Sequence, residues 1–151
     1  MKRNLTRLCL VAASVLVAAC RSRPSNQSPP AAHPSFHADI EPVLARYCAS
    51  AEGCHGERPT HSVSLDLRPG QSYAALLSAP AKTRAGAVRV LPGAPERSFL
   101  IDKLVGPLAF GEGKPMPLDP ETGAPLETSP LPAAFIDGVL KPWISRGAPR
   151  D

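Results

Sequence analysis

The chain has 151 residues, 17 Lys/Arg against 13 Asp/Glu, and seven aromatic side chains, enough for one domain with a modest core. Its net charge of +4 does not mark a nucleic-acid-binding surface, because Lys2, Arg3 and Arg7 fall in a targeting segment. After that segment 14 Lys/Arg face 13 Asp/Glu, and beyond residue 35 the count is 12 against 13, so no basic stripe remains.

Residues 1–7 hold three cationic side chains, and residues 8–19 (LCLVAASVLVAA) form an uncharged, apolar run of 12. Twelve helical residues span about 18 Å, short of a hydrocarbon core of roughly 30 Å. A cationic stretch before a short apolar one predicts a cleaved signal peptide over 1–19. The run closes on Val17-Ala18-Ala19-Cys20, which resembles the bacterial lipobox. That resemblance implies acylation of Cys20 and a lipid anchor in a bacterial membrane, inner or outer, facing the periplasm or the cell surface. Cys9, inside the apolar run, reads as filler. Residues 20–35 then form a Pro- and Ser-rich tether with no apolar periodicity.

Residues 36–151 are left to fold. Phe36, Ile40, Leu44 and Tyr47 recur at helical spacing. Pro42 fits a first helical turn, which predicts that the regular helix starts there. Residues 48–60 read as a loop. Leu65 and Leu67 flank Asp66 before a Pro69-Gly70 turn, and residues 72–78 suit a short helix capped by Ser72. Val88 and Val90 alternate briefly. Pro95 opens a helix with Phe99, Leu100, Lys103 and Leu104 on one side, ended by Gly106-Pro107. Residues 107–131 form a long, proline-rich, irregular stretch, of a length that is often functional. A last helix spans about 132–146, with Phe135 or Ile136, Val139, Leu140, Trp143 and Ile144 on its apolar side. A kink is expected at Pro142 and a cap at Gly147. The expected fold is a small, mostly α domain with long Pro-rich loops. A core this small and rich in proline benefits from a disulfide, a metal or a cofactor.

Two features carry chemistry. One is Cys48-Ala-Ser-Ala-Glu-Gly-Cys54-His55. The other is Met116, the only methionine besides the initiator, set in an exposed-looking loop between Pro115 and Pro117. Two cysteines followed at once by histidine suggest covalent haem attachment, where thiols add to the vinyl groups and the histidine binds iron. A methionine from a later loop commonly supplies the opposite ligand and raises the reduction potential.

These pieces, in order, resemble the small cytochrome c modules of planctomycete and myxobacterial type. Phe36-His37-Ala38-Asp39-Ile40-Glu41-Pro42-Val43-Leu44 resembles the helix leading to the haem site. Val63-Ser64-Leu65-Asp66-Leu67-Arg68 resembles the short segment after it. Arg89-Val90-Leu91-Pro92-Gly93-Ala94-Pro95-Glu96-Arg97-Ser98-Phe99-Leu100 resembles the "VVPGDPDxSxL" signature. Lys114-Pro115-Met116-Pro117 falls at the position of the methionine ligand, and Trp143-Ile144-Ser145-Arg146-Gly147-Ala148-Pro149 resembles the closing "WIxxGAP". The resemblance covers nearly the whole domain. It implies a monohaem electron carrier rather than an enzyme, with heme c held through Cys48 and Cys54 and with His55 and Met116 as iron ligands. The partners implied are a redox protein and, through the anchor, a membrane; no nucleic acid is expected. The attachment motif departs from the family pattern, because five residues separate the cysteines instead of two.

Other readings of the same residues stay open. Exported cysteines readily oxidise, and a Cys48–Cys54 disulfide would close a seven-residue loop worth roughly 2 kcal/mol. That would make the domain a haem-free binding or structural module. Cys48, Cys54, His55 and His61 form a two-cysteine, two-histidine set that could hold zinc, although adjacent Cys54 and His55 do not match the usual paired spacing. His33 and His37 read as solvated, with His37 and His61 as alternative axial ligands. Glu41, Glu52, Glu57 and Asp66 read as solvated carboxylates, and Gly111, Gly113 and Gly123 as turn formers. No nucleophile elbow, phosphate-binding glycine loop or HExxH motif is present.

Overall fold

The computed structural model describes residues 33–49, 54–57, 65–126 and 131–151. The targeting segment, Cys9, Cys20, most of the tether, Glu52 and His61 lie outside them. The described part is helical, in keeping with a mostly α domain. It contains α1 (Glu41–Tyr47), α2 (Ser72–Leu76), α3 (Phe99–Val105), α4 (Ala133–Phe135) and α5 (Lys141–Ser145). Among the described residues extended segments meet only at isolated bridges, such as Leu77 with Val90 and Val88 with Ser98.

Helical turns begin before Pro42, not at it. A π-helical segment, Phe36–Ile40, runs directly into α1. The same device precedes Pro142, where the π-helical Ile136–Leu140 leads into α5. In each case the residue before the proline donates its N–H five residues back, Glu41 to Phe36 and Lys141 to Ile136. A proline ring collides with the carbonyl four residues earlier and offers no N–H. A turn widened by one residue makes room for it and keeps the helix continuous. The two widened turns pack against each other. They carry Phe36, Ile40, Ile136 and Leu140 into a core shared with Leu44, Leu76, Val90, Ile101, Trp143 and Ile144.

Trp143 is fully buried. Its ring lies 5.3 Å from that of Phe36 and 6.4 Å from that of Tyr73, and its Nε1–H donates to the Pro149 carbonyl at 2.8 Å. The folded body also takes in Pro34 and Ser35. Pro34 is buried, and its carbonyl accepts from Arg146. The Ser35 hydroxyl caps the first helical turn at Ala38. The Asp151 carboxylate accepts from the Ser35 hydroxyl and from the N–H groups of Phe36 and His37. Carboxylates are favourable there because the opening N–H groups of a helix have no partner within it.

Three expectations are corrected here. Glu41 is buried at 6% exposure, not solvated. Its Oε1 accepts from the Gly70 N–H at 2.7 Å and from the Ser72 hydroxyl at 3.1 Å, and its Oε2 meets His37 Nδ1 at 2.9 Å. Ser72 is therefore no helix cap: Gln71 precedes α2, and the buried Ser72 hydroxyl is spent on Glu41. Asp66 is half-buried and paired with Arg68, while Glu57 is exposed.

The Gly70 N–H, then the Ser72 hydroxyl and His37, hold the Glu41 carboxyl below its ordinary 4.5, against the opposing effect of burial. Between the folded and unfolded values the native state binds fewer protons. Its contribution to stability is complete above 4.5 and is lost as pH falls through the lowered folded value. Glu41→Ala, which strands the Gly70 N–H and the Ser72 hydroxyl, is expected to cost about 2–3 kcal/mol in urea unfolding at neutral pH. A loss below about 0.5 kcal/mol would contradict this anchoring role.

Candidate functional site

Cys48 ends α1, its N–H donating to the Leu44 carbonyl at 2.9 Å. The His55 N–H reaches the Cys48 carbonyl at 2.9 Å. Both cysteines are free thiols and half-buried, and Cys48 packs against the core. Burial, and after it the neighbouring Cys54, pushes the Cys48 thiol up to about 12.

His55 is held at three points. Its N–H is tied to Cys48, and its carbonyl accepts from the Leu67 N–H at 2.8 Å. Its Nδ1 lies 3.1 Å from the Leu65 carbonyl oxygen. A carbonyl can only accept, so Nδ1 carries the proton and the lone pair of the neutral ring sits on Nε2. Burial lowers the imidazole's pKa. The Leu65 bond opposes that shift, while the charges of Lys103 and Arg89 add to it. The ring is thereby kept neutral, which is the form that binds metal.

Met116 is less exposed than its loop position suggests: it is half-buried and packs against the core. Its N–H donates to the Lys103 carbonyl at 2.7 Å, fastening the long loop to α3. The Lys103 ammonium bonds the Glu112 and Lys114 carbonyls at 3.2 and 2.6 Å. Arg84 grips the Glu112 carboxylate at 2.5 and 2.7 Å and also bonds Asp102 on α3. Lys103 thus holds the Met116 loop and lies close enough to His55 for its charge to act on the ring.

These clamps escaped the sequence reading. Arg84 and Glu112 are 28 residues apart, and the acceptors for Met116 and His55 are backbone carbonyls, which any residue supplies. The only available signal was Glu112 between two glycines in an otherwise apolar stretch.

His37 is engaged with Glu41, and His33 is exposed. Among the described residues no three His, Cys, Asp or Glu side chains gather to hold a metal ion. His61, the fourth member of the zinc set, lies outside the described residues. Two shallow cavities of about 370 and 390 Å3 are lined by other residues, the larger by Phe36, His37, Glu41, Tyr73 and Asp151 among others. Among the described residues no helix is long and apolar enough to cross a membrane. No family model, characterised protein or solved structure matches the chain.

Proposed function

We propose that this chain is a membrane-tethered electron carrier of the small cytochrome c type, with one covalently attached haem. The state of His55 is the observation that carries this reading. Its Nδ1 proton is committed to the Leu65 carbonyl, which leaves Nε2 with a bare lone pair directly after Cys54. Metal-binding histidines are typically oriented in this way, by a hydrogen bond from the other ring nitrogen. The donor set also fits the group chemically: two free thiols, one neutral imidazole and one thioether sulfur held against the core. Cys48 and Cys54 would hold the group covalently through their sulfurs, and His55 Nε2 and Met116 Sδ would bind its iron. When bound, the group supplies one-electron redox chemistry. The protein's part is to fix the imidazole, clamp the methionine loop through Lys103 and Arg84, and carry the anchor at Cys20.

A pyridine haemochrome spectrum decides the matter. The chain from residue 20 onward would be exported in a host with cytochrome c maturation enzymes and extracted with acidic acetone. A c-type spectrum that stays with the polypeptide is expected; a folded, colourless protein would overturn the reading. In the haem-bound form, Met116→Ala should lower the reduction potential and open the iron to added ligands. An unchanged potential would remove Met116 from the ligand set.

A second reading rests on the bond between His55 N–H and the Cys48 carbonyl, which ties the residue after Cys54 to Cys48. That closure also suits a Cys48–Cys54 disulfide. The bridge would add roughly 2 kcal/mol to a haem-free binding module. This reading predicts no thiol reactive toward alkylating agents and a drop in stability on reduction.

A further inference from the structure

We propose that the loop tip around Phe110 inserts into the lipid bilayer and sets which face of the domain lies against the membrane; this rests on the lipid anchor proposed at Cys20. Phe110 is fully exposed, and Val105, at the end of α3, is 53% exposed. The segment between them is Val-Gly-Pro-Leu-Ala-Phe, and it carries no charge. A free aromatic tip usually belongs to a flexible loop, but this one is built rigidly. The Glu112 N–H returns to the Ala109 carbonyl at 3.1 Å, and the Ala109 N–H donates to the Glu112 carboxylate at 2.9 Å. Arg84 fixes that carboxylate while stacking 4.4 Å over Phe99 and bonding Asp102. Four side chains and a closed turn hold in water a phenyl ring that touches nothing. A preformed tip loses no loop entropy on insertion.

Its shape selects the occupant. The turn is convex and ends in a single ring, which suits a fluid interface that deforms around it; a protein partner would need a matching pocket. Aromatic side chains at an interface with polar headgroups are favourable. The anchor brings the membrane within reach without choosing a face. Twelve residues separate Cys20 from His33. They span at most about 43 Å when fully extended, more than the roughly 35 Å diameter of a domain of this size. Orientation must therefore come from the folded surface, and a tethered surface needs only weak insertion because its effective concentration at the bilayer is already high.

The test replaces Phe110 with photoreactive p-benzoylphenylalanine in the full chain in cells and illuminates it. Exposed Gln71, replaced in the same way, serves as control. A phospholipid adduct at position 110 but not at position 71 is expected. Crosslinks at 110 to a protein, or none at all, would overturn the insertion, as would equal lipid labelling at both positions. Mass analysis of the Cys20 peptide separates the two readings: acylated Cys20 with no lipid at position 110 removes the insertion alone, whereas unacylated Cys20 removes the anchor with it.

Discussion

Replacing Trp143 with alanine is expected to cost about 3–5 kcal/mol, a large share of the 5–15 kcal/mol that holds a domain of this size together. The indole is fully buried where the first and last helical stretches meet, against Phe36 and near Tyr73. Truncation loses the transfer energy of the whole ring and leaves a void that the packed π-helical turns cannot close. It also removes the Nε1–H donor from the Pro149 carbonyl. That bond matters because the Ala148 carbonyl takes the Tyr73 hydroxyl at 2.9 Å and the Asp151 carboxylate caps the first helix. Losing Trp143 therefore loosens the carboxy-terminal segment that fastens the start of the fold. Urea unfolding followed by far-ultraviolet circular dichroism measures the loss. A cost below about 1 kcal/mol would mean that the crossing of the two terminal stretches is not the centre of stability. Trp143→Phe keeps most of the volume and loses the hydrogen bond, so it should cost clearly less.

The position of that core was legible because it depends on local spacing. Phe36, Ile40 and Leu44 recur at intervals of four, and all three are buried at 2% exposure or less. Leu140, Trp143 and Ile144 repeat the pattern at the other end. What the spacing could not convey is how prolines enter these helices. Rules about proline predict a start or a break, whereas a turn widened by one residue keeps both helices continuous. That choice depends on packing between the two stretches, which neither segment encodes alone. Glu41 was misread for the same reason. Its partners, Gly70 and Ser72, lie 29 and 31 residues away, so a local reading left a charged side chain in water.

The candidate site divides along the same line. The residue types at Cys48, Cys54, His55 and Met116 are visible in the sequence, because sulfur and imidazole donors are few. Their states are not. The proton on His55 Nδ1 is dictated by the Leu65 carbonyl, and the placement of Met116 by the Lys103 carbonyl. Both acceptors are backbone atoms whose positions depend on the fold.

His55 yields the second large effect, and it can be read with and without haem. In the proposed haem-bound form, His55→Gln should leave the group attached through Cys48 and Cys54 but remove the nitrogen that would bind its iron. The visible spectrum should pass from six-coordinate low spin to high spin, and added imidazole should restore the low-spin form. A spectrum indifferent to the substitution would exclude His55 as ligand. In the haem-free protein the same residue controls acid stability. Burial, followed by the Lys103 and Arg89 charges, places the imidazole below its ordinary 6.5 despite the Leu65 bond. Between the folded and unfolded values the unfolded chain binds the extra proton, so stability rises with pH across that window. The contribution is complete above 6.5 and is lost on acidification toward the lowered folded value, with a limiting slope of about 1.4 kcal/mol per pH unit for one proton. His55→Gln removes the titrating ring and should flatten this slope relative to the wild-type chain, while deleting the bond to Leu65. Paired urea titrations from neutral pH down to about pH 5 isolate the difference, because the carboxyls of Glu41, Asp66 and Glu112 are held below their ordinary values and stay charged across that range. Parallel pH profiles for the two proteins would show that the imidazole is not held neutral by its surroundings. They would also remove the physical basis for reading Nε2 as a lone pair poised for metal.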